Sequence, residues 1–116
     1  MAKTAIIIGA TGLTGSLLLQ GLLEDNRYQK IKLFSRNTCN IRHPKIEEHL
    51  IDLFELEKQQ HLFIADEVFC CIGTTKAKTP NEEQYLKIDY AIPATLAKLC
   101  SKMGIPTFLV ISALGA

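Results

Sequence analysis

Gly9-Ala10-Thr11-Gly12-Leu13-Thr14-Gly15 repeats glycine at every third position. The short apolar run Thr4–Ile8 precedes it, and apolar residues at helical spacing, Leu13, Leu17, Leu18 and Leu22, follow. Strand, glycine turn and helix in that order make G-x-x-G-x-x-G a grip for phosphate. Gly9 permits a tight exit from the strand, Gly12 lets backbone approach an anion with no Cβ in the way, and Gly15 lets the helix lie close on the sheet. The first turn of a helix carries N–H groups with no partner inside the helix and about half a positive charge. Thr11, Leu13 and Thr14 therefore add N–H or hydroxyl donors for a pyrophosphate. A structural glycine turn without a ligand would use the same letters, but spacing and context together argue for the ligand. No Gly-Lys-Ser/Thr follows, which excludes a Walker A loop.

The dinucleotide is expected to be NADP, with NAD as the alternative. An NAD-preferring site places a carboxylate about 20 residues past the turn, on the ribose hydroxyls. Here the second strand ends Leu33-Phe34-Ser35-Arg36-Asn37, without one. Arg36 stands where an adenosine 2′-phosphate would lie, with Ser35 as an extra donor and Arg42 as a second cation. A planar guanidinium suits phosphate because it donates two bonds at once; a solvated loop charge is the plainer reading of Arg36. In Asp52-Leu53, the carboxylate either meets the adenine amino group or caps the helix that follows, and the two readings stay open.

The elements that must position these residues alternate between short apolar runs and helical patterns, as in βαβ units on a parallel sheet. Strands are expected at Thr4–Ile8, Ile31–Phe34, Ile46–Leu50, Glu67–Ile72 and Thr107–Ser112. Helices are expected at Leu13–Leu23, closed by Asp25-Asn26, at Leu53–Gln60, and over Asn81–Met103 with Gly104 as its C-terminal cap. Pro93 demands a kink in that last helix, or a restart near Asp89 or Tyr90. The expected fold is α/β, a Rossmann-type doubly wound parallel sheet of five strands in order 3-2-1-4-5, occupying residues 1–116 as one domain. Such a fold normally has a second half, so an N-terminal fragment truncated after strand five is expected.

Composition narrows the function classes. Hydrophobic residues make up 47% of the chain and formal net charge is +1. That supports a globular core and gives no electrostatic case for nucleic acid or an anionic membrane. No apolar run approaches the ~18–20 residues needed to cross a bilayer. Cys39, Cys70, Cys71 and Cys100 show neither Cys-x-x-Cys spacing nor paired His ligands, so reduced thiols and no metal site are expected. These features lead to a cytosolic (cytoplasmic) protein; a small-molecule substrate is the expected partner, with a homo-oligomer left open.

With these positions together, the chain resembles the atypical short-chain dehydrogenase/reductases, most of all the group around the Tat-interacting-protein oxidoreductase. The stretches that carry the resemblance are GATGLTG, FSRN, VFCCIGTTKAKT and YLKIDYAIPATLAKLCSKMGIPTFLVISALGA. It implies that Cys71, Ile72, Gly73 and Thr74 wall the cofactor's ribose and nicotinamide side. Lys76 and Lys78 would flank the cleft mouth or, more simply, form a solvated basic loop. Cys71 lacks a neighbouring base and reads as a buried strand cysteine rather than a nucleophile. Ser112 matches the family's serine beside the substrate carbonyl or hydroxyl, although the chain has Ser112-Ala113 where relatives have two serines. Catalysis in the family also needs a Tyr-x-x-x-Lys pair, expected after residue 116. Tyr28 and Lys32 match its letters but lead into strand two, away from the ligand-binding ends of the strands. The function implied is the NADP-binding, catalytically incomplete part of an oxidoreductase. The rivals are an NmrA-like redox sensor or protein-binding module, and the cofactor domain of a semialdehyde dehydrogenase.

Overall fold

The computed structural model describes residues 2–72 and 90–111. Gly73, Thr74, Lys76, Lys78 and Ser112 lie outside them.

Strand β1, Lys3–Ile8, is the centre of the molecule. Its Ala5, Ile6, Ile7 and Ile8 are fully buried, as a strand covered on both faces requires. The glycine turn leads into helix α1, Leu13–Glu24, which ends at Asp25. Next come β2, Tyr28–Ser35, and β3, Ile46–Leu50. A 3-10 segment, Leu53–Leu62, returns the chain to β4, Glu67–Cys70. Helix α2, Ile92–Met103, precedes β5, Thr107–Val110. All five strands pair in parallel in the order β3-β2-β1-β4-β5, the expected doubly wound arrangement.

Alternation along the strands sorts the core into two layers. Ala5, Ile7, Ile31, Leu33 and Phe69 pack with Leu19 and Leu22 of α1. Ile6, Ile8, Phe34, Val68 and Cys70 pack on the other face with Leu53, Leu56 and Phe63 of the 3-10 segment and Leu96 and Leu99 of α2. Cutting one of these leucines to alanine would cost ~2–5 kcal/mol.

Several boundaries shift for physical reasons. β2 starts three residues before the expected Ile31, because Tyr28 is buried and its hydroxyl donates to Glu67. Lys32 is 9% exposed; its stem is covered and its Nζ donates to the Leu62 carbonyl at 3.1 Å. The expected helix after Asp52 is a 3-10 segment, interrupted by non-helical backbone at Glu55 and Gln59. Pro93 sits in the first turn of α2, where its missing N–H would have no partner. That helix begins at Ile92, just past Tyr90, and Gly104 closes it at φ 70°; the part expected over residues 81–89 lies outside the described residues.

Candidate functional site

The site forms where strand order reverses. β1 has β2 on one side and β4 on the other, so the loops leaving their C-terminal ends diverge and open a crevice. Gly9, Thr11, Gly12, Ser35, Arg36, Asn37, Leu53, Cys71 and Ile72 line a cleft of about 230 Å³ there.

The three glycines of the turn have different tasks. Gly9 has φ +90°, and a Cβ there would stand 3.1 Å from the Ile72 nitrogen; both backbone shape and the chain leaving β4 exclude a side chain. A Cβ on Gly15 would lie 2.1 Å from the Gly9 carbonyl oxygen, so α1 can reach the sheet only with glycine there. Gly12 differs. Its φ of −79° and ψ of 174° suit any residue, and among the described residues the only neighbour of a Cβ there would be the Gly9 oxygen at 3.7 Å. Nothing among the described residues fills the place of its side chain, and Gly12 lines the cleft. A backbone-hugging anion accounts for the missing Cβ, so the residues present fit a pyrophosphate. Gly12 is also the N-cap of α1 and offers no side-chain cap. The first N–H groups of α1, those of Leu13, Thr14 and Gly15, thus have no helical carbonyl to bond. Leu13 and Thr14 are exposed beside the cleft mouth.

Among the described residues, Arg36 is the only charged one in the cleft lining. It is exposed and forms no salt bridge among the described residues. Ser35 lines the cleft, but its hydroxyl donates to the Asn37 carbonyl at 2.6 Å and the residue is 5% exposed; its proton is already used in shaping the turn. Asp52 does not line the cleft. Its carboxylate accepts the Phe54 N–H at 2.9 Å, as an N-cap does, while Leu53 beside it does line the cleft. Cys71 and Ile72 form the opposite wall. Burial pushes the Cys71 thiol up to about 11, so it is no thiolate near neutrality. Asn37 is a lining residue that reasoning from the sequence did not single out; its place next to Arg36 in the strand-end turn was the available signal.

The profile of the NAD dependent epimerase/dehydratase family matches residues 5–115. The chain belongs to that family. Among its curated relatives, Protein FMP52, mitochondrial, of Debaryomyces hansenii is 33% identical over 97% of this chain and 51% of its own length. Protein HTATIP2 of Rattus norvegicus is 28% identical over 98% of this chain and 48% of its own length. The chain thus spans about half the length of the curated relatives it matches. Among solved structures, uronate dehydrogenase from Agrobacterium tumefaciens superposes with a TM-score of 0.78 at 18% identity, over 97% of this chain and 41% of that one. The epimerase Mth375 from Methanothermobacter thermautotrophicus gives 0.82 at 17%, over 97% and 36%. At these identities the structures establish the fold, and with the family match they make the chain an NAD(P)-binding Rossmann domain. The resemblance to the Tat-interacting-protein group holds. The cytosolic expectation does not: the FMP52 relatives from Debaryomyces hansenii, Scheffersomyces stipitis and Meyerozyma guilliermondii are named mitochondrial. Composition reports what a folded domain buries, whereas delivery is read from separate targeting segments.

Proposed function

We propose that this chain is the NADP-binding part of a short-chain-type oxidoreductase acting on a small molecule. The observation that carries the reading is the charge of the cleft. Among the described residues, its lining combines the vacant Cβ position of Gly12 with an Arg36 that forms no salt bridge, and contains no carboxylate. Gly12 and the first N–H groups of α1 hold the pyrophosphate, Arg36 takes the 2′-phosphate, and Leu53 and Ile72 supply apolar wall. When bound, the nicotinamide supplies hydride chemistry.

The chain's own residues bind and orient, and the proton chemistry falls to groups outside those described. Tyr28 and Lys32 do not serve, because β2 runs from Tyr28 to Ser35 and rises ~3.3 Å per residue, which puts Tyr28 on the order of 20 Å from the cleft. Tyr28 is also engaged with Glu67, and Lys32 with Leu62. Calorimetric titration with NADPH and NADH tests the reading: NADPH should bind more tightly, and equal affinity or an NADH preference overturns it.

A further inference from the structure

We propose that Glu48, on the neighbouring strand, is the positioning residue that sets Arg36 for a 2′-phosphate; the inference rests on the NADP reading above. Glu48 sits in β3 opposite Leu33 of β2, outside the cleft lining. Both of its carboxylate oxygens are engaged by the loop that follows β2. Oε1 accepts from the Thr38 hydroxyl at 2.8 Å, and Oε2 from the Cys39 N–H at 2.9 Å. The Thr38 hydroxyl in turn accepts the Asn40 N–H at 3.1 Å, where the chain turns through φ 58°. Cys39 packs against the α1-side core. On the other side of Arg36, the Ser35 hydroxyl closes on the Asn37 carbonyl and the Ser35 carbonyl accepts the Ile51 N–H at 2.9 Å.

The two residues Arg36 and Asn37 are therefore held between anchors on both sides, while the Arg36 side chain stays exposed. Glu48 forms no salt bridge among the described residues, so it braces the loop without drawing the guanidinium away. Burial alone would raise its carboxyl, but the Cys39 amide and the Thr38 hydroxyl outweigh that and hold it below the usual range. The brace is thus ionised at neutral pH. A loop ordered in advance does not lose that freedom on binding, so its anchors contribute to affinity without touching the ligand.

The test compares 2′,5′-ADP with 5′-ADP by calorimetry at one ionic strength, for the wild-type chain and for Glu48→Ala, Glu48→Gln and Arg36→Ala. Glu48→Ala should weaken 2′,5′-ADP roughly tenfold and leave 5′-ADP nearly unchanged. Glu48→Gln keeps one acceptor and should fall between. Hydrogen exchange at the Cys39 amide, with no nucleotide present, should accelerate in Glu48→Ala. Tighter 2′,5′-ADP binding in both Glu48 variants would mean that Glu48 merely repels phosphate, and overturns the proposal. Equal weakening of both ligands, or faster exchange with unaltered preference, overturns it too. If Arg36→Ala removes the preference and the Glu48 variants do not, the positioning role fails and the NADP reading stands. If wild type shows no preference, the NADP reading fails and takes the positioning role with it.

Discussion

Gly12 and Gly15 should separate binding from folding. At Gly12 an alanine meets favourable backbone angles and open space. Loss of a good N-cap residue costs about 0.5–1 kcal/mol, and a stiffer unfolded chain returns about 0.4–1 kcal/mol, so stability should stay within about 1 kcal/mol of wild type. Binding should suffer, because the new methyl occupies the surface a pyrophosphate needs. Losing two charge-assisted hydrogen bonds at ~1.5 kcal/mol each is ~3 kcal/mol, or roughly a hundredfold in NADPH affinity. At Gly15 a methyl 2.1 Å from the Gly9 oxygen forces helix and turn apart by about 1 Å. Overpacking of that kind costs ~3 kcal/mol, of which the helix propensity of alanine returns ~1 kcal/mol. The net of ~2 kcal/mol lowers Tm by roughly 10 °C in a chain of this size. Chemical denaturation and NADPH calorimetry on both variants provide the comparison. Undiminished NADPH binding by Gly12→Ala would refute the phosphate grip, and a Gly15→Ala protein as stable as wild type would refute the packing argument.

Three further outcomes follow from the site and its surroundings. Arg36→Ala should weaken NADPH roughly ten- to a hundredfold, since a bond to a charged group contributes ~1.5–3 kcal/mol, and leave NADH unchanged; paired dissociation constants at fixed ionic strength decide it. Tyr28 should titrate near 12, since burial and its hydrogen bond to Glu67 both favour the neutral phenol. Its folded pKa is raised, so its contribution to stability is full below pH ~10 and is lost as pH climbs towards 12; ultraviolet titration of wild type and Tyr28→Phe should show the late phase only in wild type. Cys71, with its thiol near 11, should resist iodoacetamide at pH 7.5 and react as pH rises, as followed by mass spectrometry; rapid labelling at neutrality would mean that the thiol is activated.

The fold was legible because its strongest signals are local. An unbroken apolar β1, a glycine turn and an α1 with helical spacing need no partner to be read, and parallel strands joined by crossovers leave few arrangements. What stayed hidden depends on contacts between distant residues. Nothing near Tyr28 announces Glu67, and the Lys32 letter gives no hint of the Leu62 carbonyl that receives it. The site divides in the same way. Gly9, Gly12 and Arg36 could be read from the motif and the strand end. Ser35 read as a donor to the phosphate, and its hydrogen bond to the Asn37 carbonyl could not be read; Asp52 stood open between cap and adenine contact, and only the fold shows it accepting from Phe54. Glu48 could not be found at all, since its partners Thr38 and Cys39 lie in the irregular loop that follows β2, where no periodicity fixes their positions.

The cleft is made by the same contacts that close the fold. Gly9 turns out of β1 at φ +90°, and the backbone of Cys71 and Ile72 leaves β4 within 3.2 Å of where its Cβ would be. That approach fixes the β1–β4 pair at its upper end, where the Cys71 N–H donates to the Ile8 carbonyl at 2.8 Å. It also makes Gly9 and Ile72 facing walls of the crevice. A substitution at Gly9 would therefore strain the turn, press on Ile72 and reshape the cleft together. Among the described residues, packing accounts for the missing side chains of Gly9 and Gly15 but not for that of Gly12, and the proposed phosphate grip rests on that difference.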